Sequence, residues 1–416
     1  MRTKFGFFLL LLYLASTFPG NAQKYRTDTF SDRVKTLRVC VMDNWEAPPI
    51  IQLEGDNWID VSFDLLGAEP ARLTYTLTHC DAEWRKSQLI ESEYMSGFQH
   101  MIMDDYANSF NTTMDYVNYR LTFPNENIYL KVSGNYVAQV FEPENEFPIL
   151  TACFSVIEPE ASIDMQVTTL TDKGMNTRFQ AVNFEIAYGK NIKSPMQDLK
   201  VFVRQNDRLD NEAKLVQPLS FGNQRLIFQH NPALIFEAGN EYRSFEMTTH
   251  RYNGLGIETI EYHTPYYHAV LKPDKFRNFT YSFNEDINGR FYIRTLHGTD
   301  FDLEADYRFV HFFLPCEKPL NEEVYILGGF LHNILDKRSR MEYSEADRGY
   351  VKTLLLKEGY YNYTYVTKKN ADSPGNPSLI EGSYFETGNE YQVFVYFRPI
   401  GGRYDKLIAY KNLPFK

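Results

Sequence analysis

The chain has 416 residues, with 43 basic against 54 acidic side chains and a formal net charge of −11. That length favours two to four domains over one, and the acidic balance argues against a nucleic-acid partner, whose phosphates call for basic patches. Aromatic residues reach 16%, with 30 Tyr and 32 Phe; such side chains suit a pleated, half-buried surface, so the expected fold class is all-β, arranged as tandem β-sandwich domains.

Residues 1–22 read as a secretory signal peptide. Arg2 and Lys4 give a positive start, Phe5–Ala15 is an apolar run too short for a comfortable membrane span, and Gly20-Asn21-Ala22 offers small residues for cleavage before Gln23. Cleavage there removes two positive charges, Arg2 and Lys4, and takes the net charge from −11 to −13. No cysteine follows that position, which argues against a lipid anchor, and no later stretch is long and apolar enough to span a bilayer as a helix. The expected product is exported and has no transmembrane span of its own.

A first β domain is expected over 23–159, with strands such as Leu37–Met42, Trp58–Leu65, Arg72–Cys80, Val117–Phe123, Tyr136–Phe141 and Ile149–Ile157 separated by turn-forming clusters. Between Asp81 and Met114 the alternation loosens around Trp84, Glu91, Tyr94, Phe98 and Met101. This is either an elaborated connection that offers a contact surface or a covering loop that packs its rings on the sandwich. Glu158-Pro159-Glu160 reads as a linker into a second β domain, 160–316, where Asp286-Ile287-Asn288-Gly289 lies between aromatic runs and signals a hairpin turn. Leu314-Pro315-Cys316-Glu317-Lys318-Pro319 reads as a second linker, into a third β domain over 317–416. There Tyr350–Lys357 and Tyr360–Val366 are expected as a strand pair joined at Lys357-Glu358-Gly359, with Tyr361, Tyr363 and Tyr365 on one face by period-two alternation.

The chemistry-bearing residue types form no recognisable centre. Cys40, Cys80, Cys153 and Cys316 are widely spaced with no CxxC pair, which favours core thiols over bridges and disfavours a zinc or redox motif. His79, Cys80 and Asp81 are adjacent on a strand, so their side chains alternate faces and cannot easily share one metal. His263, Tyr266, Tyr267 and His268 read as an aromatic strand edge and turn. There is no nucleophile elbow, phosphate-binding loop or dinucleotide fingerprint. No catalytic, cofactor-binding or metal residue is therefore assigned, and no enzyme activity or cofactor is expected. The polar runs Gln205-Asn206-Asp207-Arg208-Leu209-Asp210-Asn211 and Phe236-Glu237-Ala238-Gly239-Asn240-Glu241-Tyr242 read either as loop architecture or as a docking rim.

Two resemblances follow from these stretches. Val324-x-Ile326-x-Gly328-x-Phe330 and Leu356-Lys357-Glu358-Gly359-Tyr360-x-x-Tyr363-x-Tyr365-Val366 resemble the early-set modules of glycogen-binding and isoamylase-type proteins. That likeness implies a β-sandwich, but the two positions where such glycan binders carry stacking tryptophans fall on Asn333 and near Ala371, whereas Trp45, Trp58 and Trp84 all lie in the first domain. The whole mature chain also resembles the plug protein family of the type IX secretion system of Bacteroidetes. The matching stretches, in order, are Ser133-Gly134-Asn135-Tyr136, Gln205-Asn206-Asp207-Arg208, Phe236-Glu237-Ala238-Gly239-Asn240-Glu241 with Phe245-Glu246, Asp286-Ile287-Asn288-Gly289, Glu304-Ala305-Asp306-Tyr307, Glu358-Gly359-Tyr360-Tyr361-Asn362-Tyr363, Ile380-Glu381-Gly382-Ser383 and Arg403-Tyr404-Asp405. That resemblance implies a non-enzymatic periplasmic protein, peripheral to the outer membrane, that docks on the outer-membrane translocon and closes its periplasmic opening. The alternative is a carbohydrate-binding or carbohydrate-processing protein that uses the early-set-like module.

Overall fold

The computed structural model describes residues 23–143 and 145–415, so the expected signal peptide lies outside the described residues. The fold is almost entirely β, and its strands gather around three hydrophobic cores.

The first core is a sandwich. One sheet contains β1 (Val34–Val41), β2 (Ile59–Leu66) and, beyond it, a strand at Tyr116–Phe123. The other contains β3 (Thr74–Cys80), β4 (Gly134–Phe141) and β5 (Leu150–Ile157), paired antiparallel in that order. Alternate residues such as Val61, Phe63 and Leu65 on one sheet and Tyr136, Ala138 and Val140 on the other point inward and pack together.

The second core is built from two separated parts of the chain. β6 (Ala161–Thr168) and β7 (Phe179–Tyr188) form one layer. β8 (Leu199–Gln205) forms the other layer with two strands from the far end, β16 (Asn389–Phe397) and β17 (Lys406–Phe415). The same sheet continues into the first core, because β17 runs parallel to β5 with Leu407 opposite Ile157. Lys406 then binds Glu158 and Glu160, so the Glu158-Pro159-Glu160 segment is tied down on β17.

Everything between belongs to the third core, a second sandwich. One sheet orders β10 (Ile257–His263), β11 (Tyr266–Leu271), β12 (Tyr307–Pro315) and β14 (Gly349–Lys357). Facing it, β9 (Arg243–Met247) and β13 (Glu323–Leu327) both pair with β15 (Gly359–Lys368). The third core is thus inserted into the second. The break expected at 316/317 falls inside this core, where β12 pairs with β14 along Tyr307–Pro315.

Two local expectations change. β14 and β15 are consecutive but do not pair: a single residue, Glu358, carries the chain from one sheet of the sandwich to the other. One residue cannot reverse a strand, and Gly359 is required there because a Cβ would sit 2.3 Å from the Tyr292 carbonyl oxygen. The tyrosine alternation holds, with Tyr361, Tyr363 and Tyr365 all in the core. The Asp286-Ile287-Asn288-Gly289 segment does turn, with Asn288 and Gly289 both at positive φ, but it closes no hairpin: Tyr281–Phe283 is not a strand, and Phe291–Ile293 pairs with β15 instead. All four cysteines are free thiols, Cys80 and Cys153 being buried together.

Candidate docking surfaces and the joints between cores

Three polar joints fasten the cores to one another. Between the first and third, Lys357 at the end of β14 reaches Asp64 on β2, Nζ to Oδ2 2.6 Å, with Lys357 1% exposed and Asp64 fully buried. Asp64 also accepts from the Tyr307 hydroxyl at 2.6 Å and from Asn118 Nδ2 at 2.7 Å. The Lys357 ammonium lies 4.1 Å from the Tyr116 ring centroid and donates to the Asp302 carbonyl. Burial outweighs this pairing and lowers the Lys357 pKa. Around the pair, Arg38 and Arg120 both bind the Asp302 carboxylate, and Asp306 accepts from the backbone and hydroxyl of Thr113.

Between the first and second cores, buried Asp405 accepts a two-bond fork from Arg398, both at 2.7 Å, and further bonds from Lys200 and the Ala82 amide. Burial pushes this carboxyl up, but the bonds from Arg398, Ala82 and Lys200 overcome it and hold the pKa below its usual value. Asn135 completes this joint, accepting from Tyr396 and Ser155 and donating to the Asp81 carbonyl.

The second and third cores meet at a two-segment neck. Residues 238–242 lead out and 381–388 lead back, side by side. Asn240 donates to the Glu381 carbonyl, the Gly239 amide to Ser383, and the Tyr384 amide to the Gly239 carbonyl. Below the neck, the fully buried Glu381 carboxylate takes two bonds from Arg243 at 2.9 Å and one from Arg277 at 2.7 Å, and Arg243 also binds Asp274. The Gln205–Asn211 run belongs to this region: Gln205 donates to the Glu237 carbonyl and Asn206 to Asn389, while Arg208 forks onto Asp210 and reaches the Gly375 carbonyl. Asn206, Arg208, Asn240 and Glu241 are all buried. These polar runs are therefore loop architecture, not an exposed rim.

The surface candidates lie elsewhere. In the 81–114 connection, Tyr94, Met95 and Met103 pack into the first core, as a covering loop requires. Phe98 does the opposite and is 78% exposed, between two anchors. Before it, Gly97 sits at φ +129°, where a Cβ would lie 2.0 Å from the Asn127 carbonyl oxygen, so only glycine fits. After it, the Gln99 amide accepts from the Leu77 N–H at 2.8 Å and donates to the Leu77 carbonyl at 2.7 Å, taking the place of a strand at the edge of β3. Ile90, Ile102 and Tyr129 are exposed on the same connection and the strands beside it, Tyr129 opposite Ser96.

A second display is the strap over residues 273–290. Its inward residues are fixed: the Arg277 amide donates to the Ile380 carbonyl, the Tyr281 hydroxyl to Glu241 at 2.6 Å, and Asp286 accepts from the Tyr242 amide. Phe279, 85% exposed, and Phe283, also exposed, project between these anchors. Burial pushes the Asp286 carboxyl up to about 7. Sequence alone cannot separate Phe98 from Tyr94 or Phe279 from Tyr281, since all four are aromatic residues in irregular stretches; the anchoring side chains make the distinction.

The early-set positions separate. Asn333, at φ +54° and with no partner for its buried Oδ1, lines a cleft of about 220 Å³ whose walls also include Trp45 and Trp84. Ala371 lies on an exposed turn and does not line that cleft. Among the described residues no helix is long and apolar enough to cross a membrane.

The described residues form a β scaffold whose cores are fastened by buried polar joints, with aromatic rings held outward on anchored loops. Residues 34–158 match the family model described as type 9 secretion system plug protein 1st domain, which supports the type 9 secretion system plug family for this chain. A plug-family domain is a structural secretion-system component, so the match speaks for a role in type 9 secretion and an envelope-associated location. The crystal structure of a hypothetical protein from Parabacteroides merdae ATCC 43184 is similar at a TM-score of 0.92 and 42% identity, covering 94% of this chain and 100% of that one. No curated protein matches the chain.

Proposed function

We propose that this chain is a non-enzymatic periplasmic plug that docks on the periplasmic side of the type 9 outer-membrane translocon and gates it by occlusion. The observation that carries this reading is the set of anchored, outward-facing aromatic residues, Phe98 in one display and Phe279 and Phe283 in the other, on a body whose three cores are joined by buried polar contacts. Occlusion needs area and fixed shape rather than a reactive group. An interface of standard size buries roughly 1,200–2,000 Å², and aromatic anchors in such contacts dominate the binding energy.

The test is affinity purification of a tagged chain from detergent-solubilised outer membranes. The wild type should bring down a large β-barrel, and Phe98→Asp or Phe279→Asp should lose it without a change in melting temperature. Recovery of no barrel by the wild type would overturn the reading. Translocon conductance with and without the chain distinguishes a blocker, which lowers it, from an assembly factor, which leaves it unchanged.

A second reading, sugar binding, rests on the cleft that brings Asn333 beside Trp45 and Trp84. A flat indole face suits the apolar face of a pyranose, and the unpartnered Asn333 oxygen would accept a hydroxyl proton. Glycan-array binding that disappears in Trp45→Ala would support it; an array without signal would remove it.

A further inference from the structure

The outward face of the third core carries an imidazole cluster that none of the joints or displays uses. Cross-strand register creates it. Glu261 on β10 stands opposite His268 on β11, His268 stands opposite Phe309 on β12, and His311 of β12 stands opposite Thr353 on β14. Residues two apart on a strand share a face, so His263, His268 and His311 all point outward. His268 Nδ1 lies 2.8 Å from His311 Nε2, and the two ring planes are nearly parallel, 11° apart, with centroids 5.1 Å apart. The His263 ring is 4.8 Å from that of His268, centroid to centroid, and its Nε2 is held 2.9 Å from Glu261 Oε2.

We propose that His268 and His311 form the preassembled half of a site for a divalent late transition-metal ion, Cu²⁺ or Zn²⁺, with His263 as the third ligand. Two nitrogens aimed at each other at 2.8 Å share a single proton. A tetrahedral ion with bonds near 2.0–2.1 Å needs the two nitrogens roughly 3.3 Å apart, an opening of about half an ångström, with each ring turned off the shared N–N axis so that both lone pairs converge on the ion. Imidazole nitrogen suits Cu, Zn and Ni, and in divalent form copper binds such donors most strongly. The shared proton moves to His268 Nε2, so two neutral rings take up the ion without releasing one.

One further feature fits. His311 Nδ1 is bonded to the Thr353 hydroxyl at 2.9 Å, which fixes the ring and leaves Nε2 for the ion, as outer partners of metal-bound histidines do. Among the described residues no three His, Cys, Asp or Glu side chains are already gathered at one point. His263 is turned to Glu261, and in the proposed site its side chain rotates away from that carboxylate to become the third ligand.

The experiment is calorimetric titration of the full untagged chain with ZnCl₂, then CuCl₂, in a buffer that does not chelate. A single saturable site is expected, tighter for Cu²⁺, with no response to Mg²⁺. His268→Ala and His311→Ala should each weaken binding at least about tenfold, and Thr353→Ala about tenfold, the cost of removing an outer partner. His263→Ala should leave a weaker site, and the Cu²⁺ electron paramagnetic resonance spectrum should lose one nitrogen coupling. Because these side chains lie on the surface, the melting temperatures of the metal-free variants should match the wild type. Absence of saturable binding, an equal response to Mg²⁺, or undiminished affinity in a folded His268→Ala/His311→Ala double variant would overturn the proposal.

Discussion

Replacing Lys357 with methionine tests whether the first and third cores are held together by a buried ion pair. Lys357 is 1% exposed, its ammonium is 2.6 Å from Asp64, and both partners are enclosed by Tyr116, Tyr307 and Asn118. Removing one member leaves the other buried without its counter-charge, a loss of roughly 3–5 kcal/mol. With a urea slope of roughly 2 kcal/mol/M for the core that unfolds, the midpoint should fall by about 2 M. Asp64→Asn should cost a similar amount. The double variant should cost clearly less than the sum of the two, with a coupling of at least about 1 kcal/mol, since a vacated pair no longer leaves a lone charge. Urea unfolding followed by intrinsic tyrosine and tryptophan fluorescence measures all four species. Single variants within about 0.5 kcal/mol of wild type, or strict additivity, would refute the claim that this pair is the joint.

Other expectations can be checked independently. Burial lowers the His79 pKa to about 4, with only Nε2 bonded, to the Ser133 carbonyl, so the folded state keeps this ring neutral. The unfolded chain binds the extra proton first, so stability should be intact above about pH 6.5 and fall as the pH drops towards 4, by roughly 3 kcal/mol in all. The difference between the wild-type and His79→Phe melting curves isolates this term, and a pH-independent difference would contradict it. Asp286 behaves oppositely: its carboxyl is pushed up to about 7, so its contribution is present below the ordinary carboxylate range and lost as pH rises through 7. Asp286→Asn should flatten that limb and reduce pH-dependent hydrogen exchange at the Tyr242 amide, which bonds to Asp286. Gly97→Ala should cost about 1–3 kcal/mol from its φ of +129° alone, more with the Asn127 contact, read as a lower melting temperature.

Much of the fold is legible in the sequence because a sheet writes its period into the chain. Tyr361, Tyr363 and Tyr365 alternate in the sequence and share the core in the structure. Glu358 was misleading because Lys-Glu-Gly between two strands looks like a turn; what decides the outcome is that Lys357 is drawn to Asp64 and Gly359 must pass close to Tyr292, contacts made by residues hundreds of positions or dozens of positions away. The insertion of the third core is equally hidden, since β8 finds its partner β16 only after the whole third core has been traversed. The family-like stretches were recognisable as words, but their work was not: Gly239-Asn240 and Glu381–Ser383 lie about 140 residues apart in sequence, yet they form one neck. The histidine cluster was half visible, with His263 and His268 close in sequence and His311 43 residues from His268.

The position of β17 has a consequence for when the molecule acquires its shape. Among the described residues this strand follows every other strand, and it links the sheet of the first core, at Ile157, to β16 and β8 of the second. A chain emerging from its amino end can bury the interior of its first core early, but cannot join that core to the second until Lys406–Phe415 has arrived. Pairings between such distant segments are slow to form. The assembled outline is therefore set only once Lys406–Phe415 has been made, and a copy interrupted upstream of Lys406 would carry both sets of exposed rings without the strand that sets the first two cores in register.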